Sequence, residues 1–405
     1  MTRLPGLDLL RAIAIVWVML FHSFLVGGLG ADLAWLSRYG WMGVDIFFVL
    51  SGFLIGRQVL APLAHGSDFS FGDFYSRRAY RILPAFLVVL AIYAAFPALR
   101  EAPGMAPWWQ FATFTVNLLI DYGTQQAFSH AWSLCVEEHF YLLFPALAWG
   151  LTRRPSAAKF VSVCVLLVLA GIALRGTVWL HDTEMDPARN WFVEDIYYPT
   201  WSRLDGLLAG VVLATIAAFR PATWARMTAR GNGFLLLGLA VVAFAFWLFR
   251  ERTGLLGNTV GWPVLSAAIA CLVVAGASPT SWIGRHSLPG AAWVAATSYS
   301  LYLSHKLVFV AVERGLGEWL AGRGLLAFAV YAVATALGGA ALHYAVERPF
   351  LRLRDRRRSR AIAAQPVPAR RHVAASRPRS GARPDVEPAG GDNRRARAPP
   401  LPPAP

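Results

Sequence analysis

Apolar residues along this chain fall in long blocks separated by short polar connections that carry arginine. A bilayer span needs about 20 mostly apolar residues. Ten stretches approach that requirement: 9–27, 44–60, 82–98, 140–151, 160–180, 204–218, 234–249, 260–277, 292–312 and 325–346. The fourth is short and is expected to begin upstream, near Ser133. Residues 108–120 are apolar but too few for a span, and read as re-entrant or interfacial. The first block contains Arg11 and His22 and is followed at once by further spans, so it reads as a retained helix and not a cleaved signal. The pattern predicts an all-α fold, a polytopic transmembrane bundle of about ten helices over residues 1–352. Residues 353–405 are expected to be a disordered basic tail, because beyond about Arg360 the Pro, Ala, Arg and Gly residues show no apolar period.

Composition sharpens this picture. Of the 405 residues 56% are hydrophobic and 15% charged, whereas soluble domains carry about 25% charged residues. A soluble or wholly disordered chain is excluded. The net charge of +15 does not indicate a nucleic-acid partner: from Arg352 onward fourteen arginines against four acidic residues account for +10 of it, with no compact basic domain to carry it. A tail lying beside anionic lipid is the simpler reading. Cys135, Cys164 and Cys271 have neither metal spacing nor an even count, and read as packing residues.

Charge in the connections predicts orientation. With the N-terminus inside, one set of loops carries Arg57, Arg77, Arg78 and Arg81, then Arg153, Arg154 and Lys159, then Arg220, Arg226 and Arg230, then Arg285 and the tail. The other set is mixed or acidic, with Asp182, Glu184, Asp186, Glu194 and Asp195 in its largest member. The positive-inside rule then predicts both termini in the cytoplasm.

Ionisable residues inside the spans cost about 2.5–3.5 kcal/mol each even on the gentlest scale, and mark function or a satisfied pair. Arg11 and His22 are eleven residues apart on one helix, which puts them on one face about 16 Å apart in depth. Asp45 opens the second span, Arg78 and Arg81 stand one turn apart at the third, and Glu137 and Glu138 interrupt the fourth. Arg203 and Asp205 begin the sixth; Tyr299, Tyr302 and His305 form one helical stripe; His343 and Glu347 close the last. Together they imply a polar cavity within the bundle, which suits an enzyme or a transporter equally.

The motifs narrow the choice. Arg11-x10-His22, the 43–55 stretch GVDIFFVLSGFLI, Arg78-x-x-Arg81 and the 132–145 stretch WSLCVEEHFYLLFP, with Arg203-Leu204-Asp205-Gly206, the 299–305 stretch YSLYLSH and the terminal Glu347-Arg348-Pro349, are similar to those of the integral-membrane acyltransferase family 3. The resemblance runs from Gly6 to Phe350. It departs at Leu9, where many relatives have Gly, at His139, where Gln is common, and at Lys306, where an aromatic often follows the histidine. Nothing after Pro349 is expected to fold as the extracellular hydrolase-like domain fused to some relatives.

The resemblance implies O-acyl transfer to sugars or other glycoconjugates from acyl-CoA, most simply acetyl-CoA, in a bacterial-type inner or plasma membrane. Removing a hydroxyl proton near neutral pH suits an imidazole, and His22 is the expected general base, with Asp45 or Glu137 as its orienting partner. Arg11, Arg78 and Arg81 are expected to bind the donor's phosphates, since guanidinium forks match phosphate. Trp132, Arg203, Asp205, Tyr299, Tyr302 and His305 are expected to line the cavity or touch the acceptor, with Tyr299, Tyr302 and backbone amides as oxyanion donors. No metal or permanently bound cofactor is expected. The competing reading is a transporter of a lipid-linked saccharide or anionic small molecule; a structural or sensing scaffold would leave the buried charges unexplained.

Overall fold

The computed structural model describes residues 4–30, 33–67, 69–151, 156–185 and 189–363. Its longer helices are α1 (Pro5–Phe21), α2 (Met42–Ala64), α3 (Phe71–Ala95), α4 (Trp132–Leu151), α5 (Ala157–Met185), α6 (Asp205–Phe219), α7 (Pro221–Ala229), α8 (Gly231–Leu248), α9 (Trp262–Ala277), α10 (Ala291–Leu320), α11 (Gly324–Leu342) and α12 (Arg348–Ala363). No strand occurs among the described residues. The fold is an all-α polytopic bundle.

Each of the ten apolar stretches coincides with a helix. Among the described residues seven helical segments are long and apolar enough to cross a membrane: Pro5–Val26, Met42–Ala64, Phe71–Ala95, Ala157–Asp182, Gly231–Leu248, Gly257–Ala277 and Gly324–Ser359. The α6–α7 pair, bent by 114°, is an eighth if counted as one span. α4 and α10 have the length, 20 and 30 residues, but are interrupted by Glu137 and Glu138 in one and by His305 and Lys306 in the other. α4 starts at Trp132, next to the expected Ser133. Within 108–120 only the five residues Trp108–Ala112 are helical, too short to span.

The last helix extends past the expected boundary at 352/353, to Ala363. Its arginines, leucines and alanines are good helix formers, and Arg357 donates to the Tyr80 hydroxyl of α3. The bundle, Met1–Arg358, is one compact unit; a second unit begins at Ser359. The tail from 364 onward, Arg153, Arg154, Asp186 and the Glu184 side chain lie outside the described residues.

Small residues let the central helices touch. Gly52 of α2 meets Leu207 and Gly210 of α6, and Gly56 of α2 meets Ala214 of α6, a close approach of the small-xxx-small type. A Cβ on Gly52 would lie 2.0 Å from the Leu207 carbonyl oxygen, and one on Gly210 2.3 Å from that of Val49. Both obstacles are backbone and cannot swing aside. Gly210→Val is therefore expected to destabilise by about 1–3 kcal/mol through overpacking. Thermal unfolding in detergent would show a lowered Tm; an unchanged Tm would mean that α2 and α6 can part without cost.

Two local features position the site. α1 gives way at Phe21 to a 3₁₀ turn, His22–Val26, closed by Gly27 at φ 82°, so His22 stands where the helix changes pitch. The segment leading to α4 is pinned by Phe128, which is fully buried and stacks on Tyr93, Phe111 and Phe86 at centroid distances of 4.5, 5.3 and 5.7 Å. That anchor places His130 and Trp132.

Candidate active site

Two cavities lie back to back in the bundle, and Val44 and Tyr302 line both. The larger, about 290 Å³, is bordered by Arg11, Arg78, Arg81, Glu137, Glu138, Tyr141 and Tyr299. The smaller, about 110 Å³, is bordered by His22, His130, Trp132, Tyr198, Arg252 and Lys306. The first faces the basic end of the bundle, where α1 begins and α2 ends. The second faces the opposite end.

In the larger cavity three guanidinium groups from α1 and α3 converge. α3 is started by Ser70, whose Oγ accepts the Asp73 N–H at 3.2 Å, and this sets Arg78 and Arg81 one turn apart. Arg78 donates to Gln58 Oε1 at 3.2 Å and lies over the Tyr141 ring. Glu137 accepts from Ser51 Oγ and from the Tyr141 hydroxyl, both at 2.8 Å. Tyr299 donates to the Ile82 carbonyl at 2.9 Å.

Two imidazoles, His22 and His130, line the smaller cavity, and a third, His305, stands behind His22; their tautomers follow from their partners. A carbonyl oxygen only accepts, so His305 Nδ1 donates to the Tyr302 carbonyl at 2.8 Å and its Nε2 is a bare acceptor. His22 Nδ1 lies 3.1 Å from that Nε2 and 3.0 Å from the Val18 carbonyl. Nδ1 of His22 must therefore carry the proton, which leaves Nε2 as a free lone pair. His130 donates through Nε2 to the Leu303 carbonyl at 3.3 Å. Burial, with Lys306 and His305 nearby, holds His130 well below the usual imidazole range. Tyr302 donates to the His130 carbonyl at 2.8 Å and meets Ser133 Oγ at 2.6 Å. Trp132 stacks on Tyr198 at 5.1 Å, nearly parallel. No group of three His, Cys, Asp or Glu among the described residues could hold a metal ion.

Residues 4–344 match the family model described as an acyltransferase domain. The chain belongs to the acyltransferase 3 family. Among curated relatives, the O-acetyltransferase OatA of Staphylococcus aureus is 27% identical over 331 residues, covering 76% of this chain and 51% of the relative. The putative peptidoglycan O-acetyltransferase YrhL of Bacillus subtilis is 30% identical over 335 residues, 76% of this chain and 49% of the relative. The peptidoglycan O-acetyltransferase OatA of Listeria monocytogenes is 28% identical over 328 residues, 74% and 48%. The chain spans about half the length of these relatives. No solved structure matches it.

Within this acyltransferase domain the expected residues divide into three groups. Arg11, Arg78, Arg81, Glu137 and Tyr299 share the larger cavity, His22 and Trp132 line the smaller, and Tyr302 borders both. His305 reaches the site through its bond to His22. Asp45, Arg203 and Asp205 make a separate scaffold of ion pairs: Arg203 donates to Asp45 Oδ1 at 2.8 Å, and Asp205 pairs with Arg175 at 2.8 Å. The carboxylate expected beside His22 is thus replaced by His305, because Asp45 is held by Arg203 and Glu137 by Ser51 and Tyr141. Tyr299 and Tyr302 each spend their one hydroxyl proton on a backbone carbonyl and, so arranged, have none left for an oxyanion. His343 and Glu347 pair with each other at 2.8 Å.

Sequence reasoning missed His130, Arg175, Glu101 and Ser129. His130 stands two residues before the Trp132 motif, a proximity that could have flagged it. Arg175 falls inside the 160–180 stretch and is 0% exposed.

Proposed function

We propose that the chain is a membrane O-acyltransferase that moves an acyl group, in the first instance acetyl, from cytosolic acyl-CoA to a hydroxyl of an extracytoplasmic glycan. The observation that carries this reading is the meeting of two unlike cavities across Tyr302, one edged by three arginines and one holding an imidazole with a free Nε2. The basic end is taken as the cytoplasmic face, with both termini inside, so the arginine cavity lies where a phosphate-rich donor arrives. The acceptor class is suggested by the relatives named peptidoglycan O-acetyltransferases. The aromatic walls of the smaller cavity, with the polar groups of His22, His130 and Lys306 among them, suit a sugar ring.

In this reaction the acceptor O–H gives its proton to His22 Nε2 as its oxygen attacks the thioester carbonyl carbon; the thiolate leaves and recovers the proton. Val18 and His305 hold the tautomer that keeps Nε2 bare. Glu137 sits among the donor-side arginines. Glu137→Gln is expected to cost much of the activity and Glu138→Gln less, as read by turnover with acetyl-CoA; the reverse ranking would identify the other carboxylate.

The test of the donor site is calorimetry of CoA with the purified protein in nanodiscs. Binding should weaken as salt rises, because phosphate–guanidinium attraction is screened. Arg78→Lys and Arg81→Lys keep the charge but lose the planar fork, so affinity should fall. Alanine at either position should cost about 1.5–3 kcal/mol per charged hydrogen bond lost. Folded protein that binds no CoA, or lysine variants that bind it normally, would overturn the donor assignment. Saccharide movement without acyl transfer would favour a transporter.

A further inference from the structure

We infer that Lys306 supplies the hydrogen bond that stabilises the oxyanion of the transfer step, an inference that rests on the reading of His22 as the base. A tetrahedral intermediate formed beside His22 needs a donor aimed into the same cavity. Most candidates there are already committed. Tyr302 gives its proton to the His130 carbonyl, His305 gives its Nδ1–H to the Tyr302 carbonyl, and His130 gives its Nε2–H to the Leu303 carbonyl. Two cations remain among the lining residues, Arg252 and Lys306. The Arg252 guanidinium is packed among the rings of Phe21, Trp41, Phe192 and Tyr197, at 4.7–5.3 Å from their centroids.

Lys306 differs from it in three respects. It follows His305, the partner of His22, directly on α10. It is 4% exposed, so its charge is little screened by solvent. Its Nζ is held in place, donating to Ser129 Oγ at 3.0 Å and to Glu101 Oε1 at 3.3 Å. Glu101 is itself fixed by the Phe128 N–H at 3.0 Å. An ammonium has three N–H bonds; two are used here, and the third has no protein acceptor among the described residues.

The step balances as follows. The acceptor proton passes to His22 Nε2, the acceptor oxygen bonds to the thioester carbonyl carbon, and the carbonyl π pair moves onto oxygen, where Lys306 N–H receives it. When the pair returns, the C–S bond breaks, and the thiolate takes the proton from His22. The products are an ester and a free thiol.

A single neutralisation would strand Glu101, so the deciding variant is K306M/E101Q, which removes both charges and keeps an acceptor for the Phe128 N–H. Turnover is measured with acetyl-CoA and soluble peptidoglycan fragments, and CoA affinity by calorimetry. The double variant should keep its Tm within a few degrees, bind CoA as the parent does, and lose about 10²–10³ in kcat, the usual loss on removing one oxyanion donor. Transfer at more than a tenth of the parental rate would overturn the role of Lys306 while leaving that of His22 standing. If the double variant does not fold, K306R decides. It keeps the pair with Glu101, and its kcat should fall at least tenfold with unchanged KM for acetyl-CoA; a parental kcat overturns the inference. A parent enzyme that transfers nothing in this assay would overturn the acyltransferase reading and this inference together.

Discussion

Replacing His22 by alanine is expected to lower acyl transfer about 10²–10⁴-fold, the range in which a positioned general base contributes. The expectation follows from the free Nε2 of a neutral imidazole whose other nitrogen is engaged by Val18 and His305. His22 is half-buried at the junction of α1 with a 3₁₀ turn and is linked to α10 by the 3.1 Å contact with His305; the variant should still insert and fold, as a Tm close to the parent's would show. CoA binding should be unchanged, since the arginines lie in the other cavity. The measurement is turnover with acetyl-CoA and soluble peptidoglycan fragments beside CoA calorimetry on the same preparation. His305→Leu should give a smaller loss, because it removes an orienting acceptor and not the base. Near-parental transfer by His22→Ala would sink the assignment.

Asp205→Asn is expected to destabilise the bundle by about 3–5 kcal/mol, the cost of breaking a buried ion pair from one side. Arg175 is 0% exposed and donates to Asp205 at 2.8 and 3.2 Å, to the Ser202 and Asn258 carbonyls at 2.8 Å, and to the Thr259 carbonyl at 3.2 Å. One guanidinium thereby ties α5 to the start of α6 and to the turn before α9. With Asn the charge stays buried and faces only dipoles. Asp205 also lies in the first turn of α6, where the helix dipole favours an anion. The double change Arg175→Met with Asp205→Leu should recover most of the loss, because it removes the stranded charge. Tm in detergent reads both. A Tm for Asp205→Asn equal to the parent's would mean that water or lipid headgroups already solvate Arg175.

Much of the architecture was legible because a span is a local property. A bilayer leaves no water for backbone groups, so each crossing must be a helix of about 20 apolar residues, and each such stretch can be seen without its neighbours. Helical period predicted one face for Arg11 and His22 and one stripe for Tyr299, Tyr302 and His305; in the fold Arg11 and Tyr299 line the larger cavity, His22 the smaller, and Tyr302 both. The continuation of the last helix to Ala363 was not legible, because hydropathy marks where lipid contact ends and not where helical hydrogen bonding ends.

Partnership was decided only by the tertiary structure. His22 meets a residue 283 positions away, Asp45 one 158 positions away, and Lys306 one 205 positions away. Period fixes the direction a side chain takes from its own helix, but which helix stands in that direction depends on how all of them pack. Here that packing is set by glycine contacts between α2 and α6. Asp45, expected beside His22, was turned to Arg203, and the acceptor for the His22 N–H became another imidazole. His130 lies in a short turn without period, held there by the stacking of Phe128, so only its closeness to the Trp132 motif marked it. Sequence by itself therefore determined that the chain builds a membrane bundle of apolar helices that carry ionisable residues. Three-dimensional packing decided that those residues divide into two cavities and a scaffold of ion pairs, because hydrogen bonds form only between groups that the fold brings within about 3 Å.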